Sequence, residues 1–383
     1  MNLKIMMVFG TRPEAIKMAP LARLLKKHPD INLHICSTGQ HREMLASVIE
    51  AFDLHLDEDL DVMTRDQTLN GLSEMLLERL DQSYHENQPD IVLVHGDTTT
   101  SFIASLAAFH RHIPVAHIEA GLRTGDLQSP WPEEANRRLT AVLANLHFPP
   151  TEKAKLNLLA EGVCDHNILV TGNTVIDALL WMNERLDQTG WQPEADSPLG
   201  SIDPTRKMVL ITGHRRESLG HGFEEICLAL DALAQSYPDI QFVYPVHMNP
   251  RVHDVVYRML GNRENIILTA PQDYRHFVWL MKNAYLIMTD SGGIQEEAPA
   301  LGKPVLVLRN VTERPSGRLQ DRAMLVGTDP KKIIAQTTRL IEDAAYYSEF
   351  TTKHSPFGDG HACERIAQRL LEWKHAQSLD ECA

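Results

Sequence analysis

The chain has 383 residues, a length that suits two domains. Its formal net charge of −14 argues against a nucleic-acid partner and against an anionic membrane, because both reward an excess of Lys and Arg. Hydrophobic residues make up 43% of the chain and charged residues 23%, which is the composition of a globular protein rather than a disordered one.

The sequence also indicates where the protein works. The five cysteines lie far apart and form no Cys-x-x-Cys pair, so neither a disulfide framework nor a zinc site is predicted. No apolar run approaches the ~18 residues that span a bilayer. The apolar run at the N-terminus is interrupted by Gly10 and Pro13, too soon for a signal peptide. A reduced, cytoplasmic enzyme is therefore expected.

The first half of the sequence alternates short apolar runs with segments of helical spacing. Leu3–Phe9 is apolar and stops at Gly10, after which Pro13 suits a first helical turn. This strand–helix unit repeats along the chain. The predicted strands are Leu3–Phe9, Leu33–Ser37, Ile91–Val94, Val115–Ile118 and Ile168–Thr171. The predicted helices lie near Arg42–Ala51, Thr99–His110 and Val175–Leu186, with another that starts near Pro132.

The composition changes over Asp187–Thr205, where Gly and Pro interrupt any regular spacing of apolar residues. This segment is therefore predicted to be an interdomain linker or a long surface loop. Beyond it the alternation resumes. The predicted strands are Met208–Thr212, Gln241–Val246, Ile266–Leu268, Tyr285–Thr289 and Val305–Leu308. A last helix is predicted over His361–His375, with Ile366, Leu370 and Leu371 on one face.

Near-continuous apolar strands that alternate with helices predict parallel sheets covered on both faces. The predicted fold class is therefore α/β, with two doubly wound, Rossmann-like domains facing a cleft. The N-terminal domain is expected over residues 1–170, with the helix at 361–383 packing back on it. The second domain is expected over residues 171–360. Sheets of this kind bind ligands at the carboxyl ends of their strands.

Several acidic residues fall at these inferred strand ends in the first half. Asp97 precedes three threonines, so it either caps a helix or takes part in chemistry. Glu119 ends a buried strand, where an unpaired carboxylate costs several kcal/mol, which favours a function. Glu133 and Glu134 come at the start of a helix, where the dipole favours acids, so a structural role is predicted for one of them.

The second half has a more specific signal in Ser291-Gly292-Gly293, between a strand and a helix. Two glycines and a hydroxyl let the backbone approach an oxygen-rich group, and the helix N-terminus then offers N–H donors to a phosphate. One turn later, Glu297 is placed to accept two hydrogen bonds from a ribose diol. This pattern favours a nucleotide over a plain tight turn.

Positive charge gathers at the strand ends although the chain is acidic, and this favours a diphosphate ligand. The residues concerned are Arg12, Lys17, Arg215, Arg216 and Arg314. The segment after the first strand lacks the three-glycine pattern of a dinucleotide site, which argues against NAD or FAD.

At these same positions the sequence resembles a known family over nearly its whole length. The matching runs are Phe9–Pro20, His95–Thr100, His117–Gly125, Pro130–Arg137, Thr171–Ala178, Gly213–Glu217 and Thr289–Pro299. They resemble the non-hydrolysing UDP-N-acetylglucosamine 2-epimerases, which have the glycosyltransferase-B architecture. The resemblance implies that the chain interconverts UDP-N-acetylglucosamine and UDP-N-acetylmannosamine. It implies anti elimination of UDP to 2-acetamidoglucal, followed by re-addition, with no cofactor and no metal.

The resemblance also implies roles for individual residues. The catalytic residues would be Asp97, Glu119, Glu133 and His214, without deciding which acid is the base on which face. Arg12 and Lys17 would lie beside the diphosphate with His214, and Arg314 would assist UDP. The phosphates, the ribose and the uracil would be held by Ser291, Gly292, Gly293, Glu297, Gln272 and Phe277. Some members are activated by a second UDP-N-acetylglucosamine, and the residues near the corresponding motifs are Gln40, Glu43, Arg215 and His247.

Two features qualify the resemblance. The chain has Glu43 where some activated members have Gln, and Ser316–Ala323 departs from the family's usual sequence after Thr312–Pro315. Family members are commonly dimers, so a homodimer is expected, and the helices that follow Asp66 are a candidate interface.

Three other functions are compatible with parts of the pattern. They are a glycosyltransferase of the same architecture, a hydrolysing epimerase that releases N-acetylmannosamine and UDP, and a nucleotide-sugar sensor with a dead site. A transferase needs one acceptor-side base, whereas epimerisation needs proton handling on both faces of C2. The presence of all three acids favours the epimerase.

Overall fold

The computed structural model describes residues 2–40, 42–64, 66–213, 221–310, 323–351 and 355–380. Contacts divide the chain into two compact units. Unit 1 comprises Met1–Ala178 and Phe357–Ala383, and unit 2 comprises Leu179–Pro356. Within the described ranges, no helix has the length and apolar character that crossing a bilayer requires.

The strands are short and mostly buried, as the apolar runs predict. They are β1 (Leu3–Phe9), β2 (Ile31–Ser37), β3 (Glu58–Asp59), β4 (Ile91–His95), β5 (Val115–Ile118), β6 (Leu146–Phe148), β7 (Met208–Thr212), β8 (Gln241–Pro245), β9 (Ile266–Thr269), β10 (Leu286–Thr289), β11 (Val305–Val307) and β12 (Ala323–Leu325).

The helices lie between these strands. They are α1 (Arg12–Lys27), α2 (Arg42–Ala51), α3 (Leu69–Asn87), α4 (Thr99–His110), α5 (Glu133–Leu143), α6 (Glu152–Ala160), α7 (Thr174–Thr189), α8 (His221–Ser236), α9 (Pro250–Leu260), α10 (Tyr274–Asn283), α11 (Gly292–Ala300), α12 (Pro330–Glu342), α13 (Ala344–Glu349) and α14 (Ala362–Asp380).

Each unit contains one six-stranded parallel sheet. In unit 1 the order is β3-β2-β1-β4-β5-β6, and in unit 2 it is β12-β11-β10-β7-β8-β9. Counted from its own first strand, each sheet has the doubly wound order 3-2-1-4-5-6. The strand order reverses between β1 and β4 in unit 1 and between β7 and β10 in unit 2. The predicted fold class, two doubly wound α/β domains as in the glycosyltransferase-B architecture, is confirmed.

The C-terminal helix α14 belongs to unit 1, where it packs against α1. Ile366 and Leu370 are fully buried, in agreement with the predicted apolar face, and Leu371 is half-buried. The first turn of α14 is also fixed by a hydrogen bond of 2.8 Å from the Cys363 backbone N–H to Asp177 Oδ1 in α7.

Some sequence-based elements differ from the structure. The predicted strand Ile168–Thr171 is wrong, because only Ile168 forms an isolated bridge, to His147. The strand in that part of the sheet is β6, which follows α5 without a Gly or Pro to mark its start. Asp187–Thr205 lies within unit 2 and is mostly exposed, and α7 continues into it as far as Thr189. The division between the units falls inside α7, between Ala178 and Leu179.

Candidate active site

Glu14 is a buried carboxylate at the point where the strand order of unit 1 reverses. It lies in the first turn of α1, where it forms a capping box with the N-cap Thr11. Its Oε2 accepts hydrogen bonds from the backbone N–H groups of Gly10 (3.1 Å) and Thr11 (2.8 Å). Its Oε1 accepts from the hydroxyls of Thr98 (2.6 Å) and Ser101 (3.0 Å), at the start of α4. This one side chain therefore links the loops that follow β1 and β4.

We predict that Glu14→Leu lowers the free energy of unfolding by about 3–5 kcal/mol, because it leaves several buried donors without an acceptor. Urea denaturation followed by circular dichroism measures the change. Glu14→Gln keeps one acceptor oxygen and should cost less. Glu50→Leu removes an exposed carboxylate from α2 and should leave the midpoint nearly unchanged. Equal midpoints for Glu14→Leu and the unchanged protein would contradict the prediction.

Glu119 follows β5 directly, and three nitrogen atoms lie near its carboxylate, of which His95 Nε2 forms no hydrogen bond with the described part of the chain. Lys17 Nζ in α1 lies 2.5 Å from Glu119 Oε2, and His95 Nε2 at the end of β4 lies 3.1 Å from the same oxygen. Asn173 Nδ2 donates to Oε1 at 3.3 Å. The backbone of Glu119 has φ +60°, which a non-glycine residue adopts at a cost of about 1–3 kcal/mol, often at functional sites. The carboxylate is 11% exposed, so a ligand can reach it.

His95 is a neutral neighbour of this carboxylate. Burial is the main cause that lowers the pKa of His95 to about 4, with Lys17 acting in the same direction and Glu119 opposing it. The imidazole is therefore uncharged at neutral pH, and Lys17 is the cation that contacts Glu119.

Asp97 lies after β4 and does not cap a helix. The N-cap of α4 is Thr98, whose hydroxyl accepts from the Ser101 backbone N–H at 3.0 Å. Asp97 Oδ2 instead accepts a hydrogen bond from Arg137 in α5, and the Asp97 backbone carbonyl accepts from Asn136 Nδ2 at 3.1 Å. The capping alternative for Asp97 is therefore wrong, and its catalytic role stays a prediction.

Burial raises the pKa of Asp97. Arg137 has the next largest effect and lowers it, Glu119 raises it, and Lys17 lowers it. Asp97 and Glu119 therefore lie close enough for the charge of one to affect the protonation of the other. Asp97 is 31% exposed, so it too is open to a ligand.

The two acids that begin α5 have different surroundings. Glu134 is fully buried and accepts hydrogen bonds from the backbone N–H groups of Thr124 (3.1 Å) and Gly125 (3.2 Å). Its Oε2 also lies 3.3 Å from Arg137 Nη1. Glu134 thus has the structural role that the sequence predicts for one of the pair. Glu133 is half-buried, and its carboxylate makes no hydrogen bond or ion pair with the residues that the structure describes.

Two more sequence-based candidates lie at the same edge of the unit 1 sheet. Arg12 is the first residue of α1 and is half-buried. Gln40 follows β2, and its Oε1 accepts from the Thr100 hydroxyl at 3.4 Å. Lys17, predicted to lie beside a diphosphate, contacts Glu119 in this structure.

In unit 2, Ser291 and the first turn of α11 follow the carboxyl end of β10. Ser291 is the N-cap of α11, but its side chain makes no capping hydrogen bond. A Cβ built on Gly293 would lie 3.6 Å from Glu297 Oε2, an ordinary contact, so packing within the protein does not require a glycine there. Glu296 and Glu297 are both buried in the first turns of α11.

The other unit 2 candidates lie along α10 and after β8. Burial and the nearby Glu297 raise the pKa of Tyr274 well above its usual value, which places Tyr274 beside that carboxylate. Gln272 precedes α10 and its Nε2 donates to the Ala270 carbonyl at 2.7 Å, while Phe277 within α10 is half-buried. His247 is exposed, and its Nδ1 accepts from the Asn249 backbone N–H at 3.1 Å.

Several predicted residues lie outside the described part of the chain. These are His214, Arg215, Arg216, Arg314 and the segment Ser316–Arg322. Glu43 is described only through its backbone, in α2.

Comparisons with known proteins identify the family of this chain. A family model described as UDP-N-acetylglucosamine 2-epimerase matches residues 23–371. The UDP-N-acetylglucosamine 2-epimerase of Escherichia coli K12 is 54% identical over 371 residues, which cover 96% of this chain and 98% of the relative. The chain belongs to the UDP-N-acetylglucosamine 2-epimerase family. It is accordingly an epimerase, and hence an isomerase.

Solved structures of family members extend the comparison. The UDP-GlcNAc 2-epimerase of Neisseria meningitidis, solved bound to UDP-GlcNAc, has a TM-score of 0.88 and 48% identity, with 97% of this chain and 100% of that chain covered. The enzyme of Methanocaldococcus jannaschii, solved with UDP-GlcNAc and UDP, has a TM-score of 0.77 and 32% identity, with 97% and 100% covered.

The structure of this epimerase adds residues that the sequence analysis did not single out as part of the site. They are Glu14, His95, Arg137 and Asn173. Two signals for them were present in the sequence. Thr11 and Glu14 have the spacing of a capping box, and Arg137 comes one helical turn after the acids that begin α5. Nothing in the sequence indicates that the side chains of His95 and Asn173 both lie beside the Glu119 carboxylate, because 78 residues separate them.

Proposed function

We propose that the enzyme interconverts UDP-N-acetylglucosamine and UDP-N-acetylmannosamine by anti elimination of UDP to 2-acetamidoglucal and re-addition of UDP. The observation that carries the proposal is the pair of partly exposed carboxylates, Asp97 and Glu119, at the ends of the neighbouring strands β4 and β5. Each carboxylate has its own cation, Arg137 for Asp97 and Lys17 for Glu119.

The chemistry at C2 explains why such a pair is needed. The proton on C2 is not next to a carbonyl, so its removal cannot form an enolate. Departure of UDP must instead build positive charge at C1 before or while C2 loses its proton. Carboxylates stabilise that charge and accept the proton, and cations stabilise the leaving diphosphate. A second acid returns the proton on the opposite face.

Among the catalytic residues we include Glu133 with Asp97 and Glu119. Glu133 is half-buried and has no partner among the described side chains, which suits a group that meets substrate. His214 would act beside the diphosphate as an acid or an electrostatic partner, together with Arg12 and Lys17. Lys17 would then neutralise Glu119 in the free enzyme and turn toward the diphosphate when substrate binds.

In unit 2, we assign the UDP moiety to the carboxyl end of β10. The first N–H groups of α11 precede its hydrogen-bonded turns and are available to a phosphate, as is the Ser291 hydroxyl that does not cap the helix. Gly292 and Gly293 leave room for that approach. Glu297 would bind the ribose, Gln272 and Phe277 the uracil, and Arg314 would assist UDP. The N. meningitidis structure was solved with UDP-GlcNAc and the M. jannaschii structure with UDP-GlcNAc and UDP, which supports these compounds as the ligands of this enzyme.

Three further features belong to the same proposal. A second UDP-N-acetylglucosamine would bind near Gln40, Glu43, Arg215 and His247 and activate the enzyme. We also propose a homodimer and a cytoplasmic location, and we propose that the two units act as separate domains.

We predict that the enzyme incorporates solvent deuterium at C2. When UDP-N-acetylglucosamine is incubated with the enzyme in deuterated water, both epimers should carry deuterium at C2 at equilibrium, because the C2 proton exchanges with solvent through the acids. Proton NMR of the nucleotide sugars and mass spectrometry measure the incorporation, and brief incubations should also show UDP and 2-acetamidoglucal.

The same incubation separates the alternatives. Epimerised product without C2 deuterium would overturn the elimination route. Accumulation of free N-acetylmannosamine with UDP would indicate the hydrolysing reaction, and no reaction without an added sugar acceptor would indicate a transferase. Glu161→Gln, which alters a carboxylate paired with Arg123 rather than with a site residue, should exchange as the unaltered enzyme does.

A further inference from the structure

We propose that Asn173 is a positioning residue for the epimerisation, and that its side-chain amide holds the Glu119 carboxylate in the orientation that proton transfer at C2 requires. This rests on the proposed function, in which Glu119 is a catalytic acid. Asn173 directly precedes α7 and is 2% exposed, so it reaches Glu119 from within unit 1. Its Nδ2 donates a hydrogen bond to Glu119 Oε1 at 3.3 Å.

The backbone of α7 fixes the orientation of the Asn173 amide. Its Oδ1 accepts a hydrogen bond from the Val175 backbone N–H at 3.1 Å, the bond that an N-cap residue forms near the start of a helix. A backbone N–H group only donates, so the atom that faces it is the amide oxygen, and the Nδ2 group is thereby turned toward Glu119. The helix thus decides which end of the amide the carboxylate meets.

The backbone of Asn173 is anchored as well. Its N–H donates to the Phe357 carbonyl at 2.6 Å. The preceding Gly172 has φ +89°, and a Cβ built on it would lie 3.1 Å from the Cα of Gly358, so the two segments pack closely at a point where a side chain would be crowded. Two parts of the chain that are distant in sequence therefore fix the position from which Asn173 contacts Glu119.

Lys17 and Asn173 contact different oxygens of Glu119. Lys17 Nζ lies 2.5 Å from Oε2, on a long side chain that is 23% exposed, whereas the Asn173 donor to Oε1 is buried. In the proposed function Lys17 turns toward the diphosphate when substrate binds, and Asn173 then keeps the carboxylate in place. A second cation would stabilise the ionised carboxylate and weaken it as a base, whereas a neutral amide fixes its position with a smaller loss of basicity.

The test is Asn173→Ser, which separates the two hydrogen bonds of the amide. A serine hydroxyl caps a helix about as well as an asparagine does, but it is too short to contact Glu119 as well. We expect kcat to fall about 10- to 100-fold, the effect of one lost hydrogen bond to a charged group, while KM and the Kd of UDP stay within about twofold. Initial rates of epimer formation and equilibrium dialysis of UDP measure these quantities.

A double variant shows whether Asn173 acts through the Glu119 carboxylate. If it does, Asn173→Ser should lower kcat by about twofold or less when Glu119→Gln is already present, because the carboxylate that it positions is gone. A purely structural role would give the same loss in both backgrounds. If Asn173→Ser does not fold by circular dichroism, Asn173→Asp replaces it. That variant keeps the capping oxygen but places a second carboxylate beside Glu119, so at least the same loss of kcat is expected.

The matched control is Asn87→Ser, the same substitution at the end of α3, where the Asn87 Nδ2 donates to the Ser83 carbonyl at 3.0 Å. Asn87 comes just before β4 begins, so it lies at the edge of the unit 1 sheet opposite to Glu119, which follows β5. Its kcat and KM should equal those of the unaltered enzyme.

The positioning role is overturned if folded Asn173→Ser, or Asn173→Asp in its place, has normal kcat while Glu119→Gln is inactive. It is also overturned if the loss appears in KM rather than in kcat, if it is undiminished in the Glu119→Gln background, or if Asn87→Ser is equally impaired. Normal turnover by Glu119→Gln would instead overturn the assignment of Glu119, and the role of Asn173 with it.

Discussion

Glu119→Gln should lower kcat by about 10²- to 10⁴-fold, the range that general acid–base groups contribute, while UDP still binds. Glutamine has nearly the same shape as glutamate and keeps an oxygen for one of the donors, but it neither accepts a proton from C2 nor stabilises positive charge at C1. The loss should therefore appear in the chemical step rather than in binding.

The surroundings of Glu119 make the expected loss large. Its carboxylate neutralises Lys17 at 2.5 Å, so the amide also leaves that ammonium without its counter-charge. A Gln in the same backbone conformation keeps φ near +60°, so the strain of that position does not change. A change in rate is thus attributable to charge and proton transfer, and not to a rebuilt loop.

Equilibrium dialysis of UDP and the rate of C2 deuterium incorporation measure the two effects separately. The control is Glu161→Gln, in which the altered carboxylate pairs with Arg123 at 2.7 Å. That variant should keep near-normal turnover, because a partly exposed ion pair contributes little. Near-normal turnover of Glu119→Gln would remove this residue from the catalytic assignment.

The fold was largely predictable because its strands are buried on both faces. Such strands are near-continuous apolar runs, and β1, β5 and β7 have the predicted limits without change. The error at Ile168–Thr171 and the unpredicted β3, β6 and β12 have a common cause. β3, β6 and β12 lie at the edges of their sheets and have two or three residues each, too few for any period to show.

The sequence predicts which candidate residues lie at the strand ends, but not which side chains contact each other there. Parallel topology brings the residues after β1, β4 and β5 to one edge, so the positions of Lys17, Asp97 and Glu119 follow from the sequence. Which atoms meet depends on side-chain packing between distant parts of the chain. The pairing of Lys17 with Glu119, 102 residues away, and of Arg137 with Asp97, 40 away, has no local signal.

Asp97→Asn should also lower kcat by about 10²- to 10⁴-fold, and its pH dependence gives a sharper test than its rate. Burial raises the pKa of Asp97, so as pH falls this carboxylate gains its proton earlier than an ordinary aspartate does. If ionised Asp97 is needed for turnover, the acidic limb of the kcat–pH profile lies at a higher pH than the usual pKa of an aspartate. Stopped assays of epimer formation between pH 4 and 9 at constant ionic strength locate that limb. A single charge interaction is expected to move it by about one pH unit.

Two variants should move the limb in opposite directions. Arg137 lowers the pKa of Asp97, so Arg137→Met raises it further and shifts the limb to higher pH. Glu119 raises the pKa of Asp97, so the residual activity of Glu119→Gln should have its limb at lower pH. Arg123→Met, whose guanidinium pairs with Glu161 instead, is the control and should leave the limb in place. Shifts of the same sign in both variants would mean that another group sets the limb, because Arg137 and Glu119 act on the pKa of Asp97 with opposite signs.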